Sequence, residues 1–262
     1  MTNEEAASRA AAEFRAKYGL GSAPINDLND LVEGRLGIDL AVMEMDDGLD
    51  GMVVQDPETG QRIISVACTT SLERQRATLA HEVGHLEQGD FAEGGIISCG
   101  IRSPQEIRAD AFARHLLAPR QGVIDFLTGL GKTPRHLSEA ELSHLVRYFE
   151  VSPMILLIQL DGCGWLDTGQ KEAWAALSVG KLASRYGWSE EHRASQANAM
   201  TPQAPMRIVA EAMEAYVNNL IGLEAVAAIR GISTAKLKEE LDDVGIHPDP
   251  VPLPPSRFGR RK

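Results

Sequence analysis

Thr78-Leu79-Ala80-His81-Glu82-Val83-Gly84-His85 is the stretch on which the fold turns. Leu79, Ala80 and Val83 recur at helical spacing, and on a helix residues four apart lie nearly above one another. His81 and His85 can therefore hold one metal ion between them, the arrangement that H-E-x-x-H produces on a helix. Glu82 lies beside the first histidine, where a carboxylate is placed to take a proton instead of binding metal. With 7 His in 262 residues, the pattern arises by accident in about one or two chains per hundred of this composition. The surroundings must carry the rest of the argument.

Upstream, Thr70-Ser71-Leu72-Glu73 has the pattern of a capping box, so the helix begins there. It carries Arg76 as well as the apolar positions and runs to about Gly89. Residues 2–18 read as an alanine-rich amphipathic helix and 26–33 as a short second one. Residues 38–45 read as a strand. Residues 52–55 and 62–67 flank Asp56-Pro57-Glu58-Thr59-Gly60, which is hairpin chemistry. The expected class is α+β, with a small antiparallel sheet packed on the H-E-x-x-H helix and on the helices that follow. The glycine-rich stretch 89–100 reads as a mobile loop. Helices are expected at 104–117, closed by Pro119, and near 121–127, 139–149 and 153–160.

A catalytic zinc takes three protein ligands and keeps one position for water. Glu106 begins the next strong helix, about twenty residues beyond the motif, and is the candidate third ligand. Asp110 lies one turn later on the same face, where it can accept the free ring N–H of a ligand histidine. A Glu/Asp pair at this spacing is ordinarily a solvated helix face. Here Ala111-Phe112-Ala113 and Leu116-Leu117 follow, so the helix is half buried and the pair is drawn toward the motif.

The whole chain sets bounds on these readings. Its 44% hydrophobic and 24% charged residues are those of an ordinary globular protein. A formal charge of -11 argues against general nucleic-acid binding, which depends on neutralising phosphates. Cys68, Cys99 and Cys163 are odd in number and lack C-x-x-C spacing, which fits a reducing compartment. The first turns carry Glu4, Glu5, Arg9 and Glu13 and no apolar signal core, and no apolar run is long enough to cross a bilayer. A cytoplasmic location is expected.

The run Gln75-Arg76-Ala77-Thr78-Leu79-Ala80-His81-Glu82-Val83-Gly84-His85 resembles the signature helix of the ImmA/IrrE family of metallopeptidases. That family continues with Glu-x-x-Ala-Asn/Asp-x-Phe-Ala-x-x-Leu-Leu-x-Pro, and this chain has Glu106-Ile107-Arg108-Ala109-Asp110-Ala111-Phe112-Ala113-Arg114-His115-Leu116-Leu117-Ala118-Pro119. The upstream hairpin, with Gly51-Met52-Val53-Val54 and Ile63-Ile64-Ser65-Val66, is also similar. One departure is Ala77, where the family usually carries a large aromatic, a change expected to affect packing and not chemistry. The likeness covers residues 25–165. It implies a cytoplasmic zinc peptidase related to minimal gluzincins, with His81, His85 and Glu106 on the metal and Glu82 as general base. It also implies a protein substrate, a helix-turn-helix repressor of the Xre type, whose cleavage derepresses stress-response or mobile-element genes. The rival reading is a noncatalytic metal-binding regulator that acts through DNA or an antitoxin-like partner; an intact Glu82 favours the enzyme.

Weaker signals complete the reading. His115, Arg114, His136, His144 and Tyr148 are candidate oxyanion donors, each more readily explained by packing or a surface position. Substrate backbone is expected to pair with an edge strand of the 38–67 sheet. Cys99 could reach the metal as a redox-sensitive ligand. Gly162, Gly164 and Gly169 suggest a boundary, giving a metallopeptidase domain at 1–168, a helical, helix-turn-helix-like domain at 169–246, and a Pro-rich basic tail at 247–262, read as disordered. Glu139–Phe149 followed by Pro153–Leu160 has a helix-turn-helix look, as does Ala227 to Ser233 followed by 234–241. In the second, Lys236 and Lys238 are opposed by Glu239, Glu240, Asp242 and Asp243, a polarity that repels phosphate, so direct DNA binding is not expected.

Overall fold

The fold is described from a computed structural model, over residues 2–56, 58–90 and 103–250. The described chain separates into two compact units, Met1–Pro202 and Gln203–Lys262.

In the first unit, α1 (Asn3–Lys17) opens with a Thr2 capping box, and a short turn at Leu28–Asp30, here α2, continues into a π-type turn at Leu31–Arg35. Three strands follow: β1 (Asp39–Met43), β2 (Gly51–Gln55) and β3 (Arg62–Ala67), in the spatial order β1-β3-β2. The β2–β3 pair is antiparallel, as the hairpin residues require, but β1 runs parallel to β3. The sheet is therefore mixed instead of all antiparallel. The segment between β1 and β2 reverses the chain while leaving one strand's width, and β3 fills that gap. Leu40, Ile64 and Val53 form one row across the sheet; Val42, Val66 and Gly51 form the next. All but Gly51 in these rows are apolar side chains buried in the core.

Helix α3 (Leu72–Gln88) carries the H-E-V-G-H run against this sheet. Its N-cap is Ser71, whose hydroxyl accepts from the Arg74 N–H and bonds the Glu73 carboxylate, so the start lies one residue beyond Thr70 and no reciprocal box closes. Helix α4 (Pro104–Leu117) packs along α3, with Ala109, Phe112, Ala113 and Leu116 buried. Gly84 permits that approach: a Cβ there would lie 3.0 Å from a Phe112 ring carbon and 3.3 Å from the Ala109 Cα. Helix α1 also packs along α4, with the Phe14 ring edge-on to Phe112. Helices α5 (Arg120–Gly129), α6 (Glu139–Phe149) and α7 (Pro153–Gly162) complete the bulk of the core.

The expected boundary near 168 is not where the contacts divide. Helices α8 (Gln170–Trp174), α9 (Val179–Tyr186) and α10 (Ser189–Ala199) belong to the first unit, because Trp165, Trp174, Leu182 and Trp188 bury their side chains in the same core. The glycines at 162, 164 and 169 mark turns, and the aromatic residues around them decide the packing. Helix α10 also ties down the entry to α3: Gln75 Nε2 donates to the carbonyls of Ala67 and Ala199, and Gln196 Nε2 donates to that of Thr70.

The second unit contains α11 (Met206–Val217), α12 (Leu223–Ile229) and α13 (Thr234–Val244) around a small core of Ala212, Val226, Ala227, Leu237 and Leu241. Its last described residues, 247–250, include Asp249, whose N–H donates to the Val217 carbonyl; the remainder of the expected tail lies outside the described residues. Among the described residues no helix is long and apolar enough to cross a membrane.

Candidate metal centre

His81 and His85 leave α3 one turn apart, and Glu106 comes across from the first turn of α4. His81 Nε2 lies 3.0 Å from His85 Nε2 and 3.2 Å from one Glu106 oxygen; the other Glu106 oxygen lies 3.3 Å from His85 Nε2. Donors about 2.1 Å from a tetrahedral zinc stand about 3.4 Å apart. The two Nε2 atoms and the Glu106 oxygen nearest each are therefore set close to ligand spacing.

The outer ring nitrogens explain the orientation. His81 Nδ1 is 2.9 Å from the Asp110 carboxylate, and His85 Nδ1 is 3.2 Å from that of Asp90. An ionised carboxylate only accepts, so both Nδ1 atoms carry the hydrogen and both Nε2 lone pairs face the Glu106 carboxylate. Three lone-pair donors converging without a proton between them repel one another, and a cation relieves that repulsion. The titration of His81 reports the same field. Burial opposes its protonation, but the bond to Asp110 and the charges of Glu82, Asp110 and Glu106 outweigh burial and raise its pKa. The donor set fits a divalent metal with two imidazoles and a carboxylate.

Asp90 is the residue that the reading of the sequence missed. Gly89 ends α3 with φ 67, a left-handed conformation that costs glycine little. The turn brings the Asp90 N–H onto the His85 carbonyl at 3.1 Å and its carboxylate under the same residue's imidazole. Arg108 Nη2 then holds the second Asp90 oxygen at 3.0 Å, while Arg108 Nε donates to Gln88 Oε1. The only trace in the sequence is an acid directly after the glycine that stops the helix.

Glu82 is 1% exposed and faces the start of β2. A Cβ on Gly51 would come within 2.5 Å of Thr78 Cγ2 and 3.0 Å of Glu82 Oε1. The glycine that interrupts the apolar row of the sheet is thus what leaves room for the acid. A cleft of about 250 Å³ opens over Gly51, Thr78, His81, Glu82, Glu106 and Asp110. Ala77 also lines it, while packing against the core. Arg74 stands at its rim in a two-oxygen pair with Asp50, at 2.6 and 2.7 Å.

The five proposed oxyanion donors lie elsewhere; none lines this cleft. His115 and Arg114 bind Glu4, and His144 and Tyr148 line a separate depression beside Phe126. Cys99 and most of the 89–105 segment lie outside the described residues.

Residues 33–161 match the family model of the IrrE N-terminal-like domain, peptidase family M78. Over 137 residues the chain is 34% identical to a radiation response metalloprotease IrrE from Deinococcus deserti. That alignment takes in 48% of this chain and 45% of the relative, so the chain spans less than half of that protein's length.

Proposed function

From the membership of residues 33–161 in the IrrE N-terminal-like peptidase family, we propose that this chain is a zinc-dependent endopeptidase acting on a folded protein partner. The observation that carries the reading is the convergence of the two Nε2 atoms and the Glu106 carboxylate beside a buried Glu82. His81, His85 and Glu106 would hold the metal, and Asp110 and Asp90 would fix the ring tautomers. When bound, zinc supplies Lewis acidity to a carbonyl oxygen and makes water more acidic. Glu82 takes the proton from the attacking water and returns it to the departing amine. The walls around Glu82 exclude bulk solvent and keep its carboxylate close to the substrate carbonyl.

The substrate class follows from the sheet. Strand β2 is an edge, and its first residue lines the cleft. An extended peptide adding to that edge runs its backbone past Glu82. We assign as partner a helix-turn-helix repressor in the cytoplasm, with derepression of stress-response genes as the outcome. The repressor and its compartment rest on the resemblance to the ImmA/IrrE family, and the radiation response in the Deinococcus relative's name supports the stress-response outcome.

The test is to incubate the full chain with candidate repressors, with and without a chelator. Cleavage is expected only with metal. Glu82→Gln is expected to keep zinc, measured by elemental analysis, and to cut turnover by about 10²–10⁴. Bound zinc with no cleavage of any repressor would instead support the noncatalytic regulator.

A further inference from the structure

Gly51 serves the sheet and the cleft at once. The Ala67 N–H donates to the Asp50 carbonyl and the Asp56 N–H to that of Gln61, both at 2.8 Å. Bonded and unbonded residues alternate in an antiparallel pair, so Gly51, Val53 and Gln55 turn their N–H and C=O groups to the open edge of β2. The Cα of Gly51 meanwhile closes on α3. A Cβ there would lie 2.5 Å from Thr78 Cγ2, 3.0 Å from Glu82 Oε1 and 3.4 Å from Glu82 Cγ. The first edge position is therefore also a wall against the Glu82 carboxylate.

A glycine has no side chain with which to hold itself there, and the residue before it supplies the anchor. The Asp50 carbonyl is fixed by Ala67 at the end of β3, and the two Asp50 carboxylate oxygens lie 2.7 and 2.6 Å from Arg74 Nη2. Arg74 is set in turn by the α3 N-cap, since its N–H donates to Ser71 Oγ. Arg74, Thr78 and Glu82 follow at four-residue intervals. One face of α3 thus carries the anchor, the contact for Gly51 and the acid.

The chain reaches Asp50 from β1 through Asp46, Asp47 and Gly48, all exposed, so packing does not hold this corner of the sheet. The Arg74 and Asp50 side chains are themselves 62% and 50% exposed. An ion pair in that setting adds little to folding stability. Its effect is local: it sets where Gly51 sits, and so which rotamers remain to Glu82.

We propose that, given the peptidase reading in which Glu82 carries the proton, Asp50 and Arg74 are positioning residues for Glu82. Their ion pair holds Gly51 down on α3, and Gly51 keeps the carboxylate in place at the cleft. Without the pair Gly51 lifts, and Glu82 gains water and further rotamers while the metal ligands stay where they are. Both contacts run through the single Nη2 atom, so an ammonium can replace the guanidinium.

Two readouts on the full, zinc-loaded chain test this. The first needs no substrate. In Asp50→Ala and in Arg74→Met the Ala67 amide is expected to exchange its hydrogen about tenfold faster, with α4 amides, urea unfolding and zinc content unchanged. The second is turnover of a repressor that the unsubstituted chain cleaves. Both variants are expected to lower kcat about 10- to 100-fold with KM within about twofold. Arg74→Lys is expected to keep kcat within about threefold, and Asp50→Arg combined with Arg74→Glu to recover most of what either loses alone. A rise in KM at constant kcat would make Arg74 a substrate contact and overturn the proposal, as would unchanged exchange at Ala67 or lost zinc. Faster exchange in a chain that cleaves no repressor would overturn the peptidase reading, and with it the role in turnover, while leaving the ion pair as the anchor of Gly51.

Discussion

The two histidines of the candidate metal centre have the same donor atoms and opposite surroundings. The His85 side chain is 0% exposed, and its Asp90 partner is 8% exposed and pinned by Arg108. The His81 side chain is 14% exposed, and its Asp110 partner, at 64%, stands in solvent. The same carboxylate–imidazole pairing is thus built once as scaffold and once as an open lip of the cleft. The difference teaches how one helix can serve both ends of a site. Low dielectric around His85–Asp90 makes that contact strong and costly to disturb, while water and salt screen His81–Asp110.

The sharpest way to break this comparison is at Asp90. Asp90→Asn leaves one acceptor oxygen where His85 and Arg108 use two, and removes the charge that faces both, so metal affinity is expected to fall about 10–100-fold, measured by competition with a chromophoric chelator. A loss of twofold or less would mean that the buried flank does not govern the site. Gly84→Ala comes next. It forces α4 away from α3, is expected to cost about 1–3 kcal/mol in urea unfolding, and should weaken metal binding because Glu106 moves with α4. Unchanged stability would show that Phe112 relaxes freely. Asp110→Asn is expected to do least, about tenfold or less in metal affinity, and raising the salt should narrow the gap between it and the unsubstituted chain. A salt-independent gap would place Asp110 in a drier setting than its exposure indicates.

These contrasts also separate what could be read along the chain from what could not. The H-E-V-G-H helix, the 104–117 helix and the 139–149 helix are legible because their apolar spacing and caps act within a few turns. Glu106 and Asp110 are legible because a helix offers both on one face. Asp90 is not, since it reaches His85 only through the left-handed turn at Gly89. Ala77 and Gly51 carry no local signal of a cleft, because the cleft exists only once β2 lies across α3. The direction of β1 is likewise decided by where β3 inserts, and no pattern within β1 records it. Trp174 and Trp188 lie beyond the boundary that the glycines suggest; their burial in the first core, beside Trp165, shows that large apolar area outweighs the glycine turns.

The sequence by itself determined the chemistry at hand: two imidazoles and a carboxylate spaced for one metal, an acid beside them, and the helices that carry them. Helical periodicity and capping are local effects, so they can be read from neighbours in the chain. Only the tertiary structure decided which flank of the site is dry, which glycine makes room for Glu82, and where the first unit ends. Those depend on burial and close approach between segments far apart in sequence, and both arise only when the chain has packed.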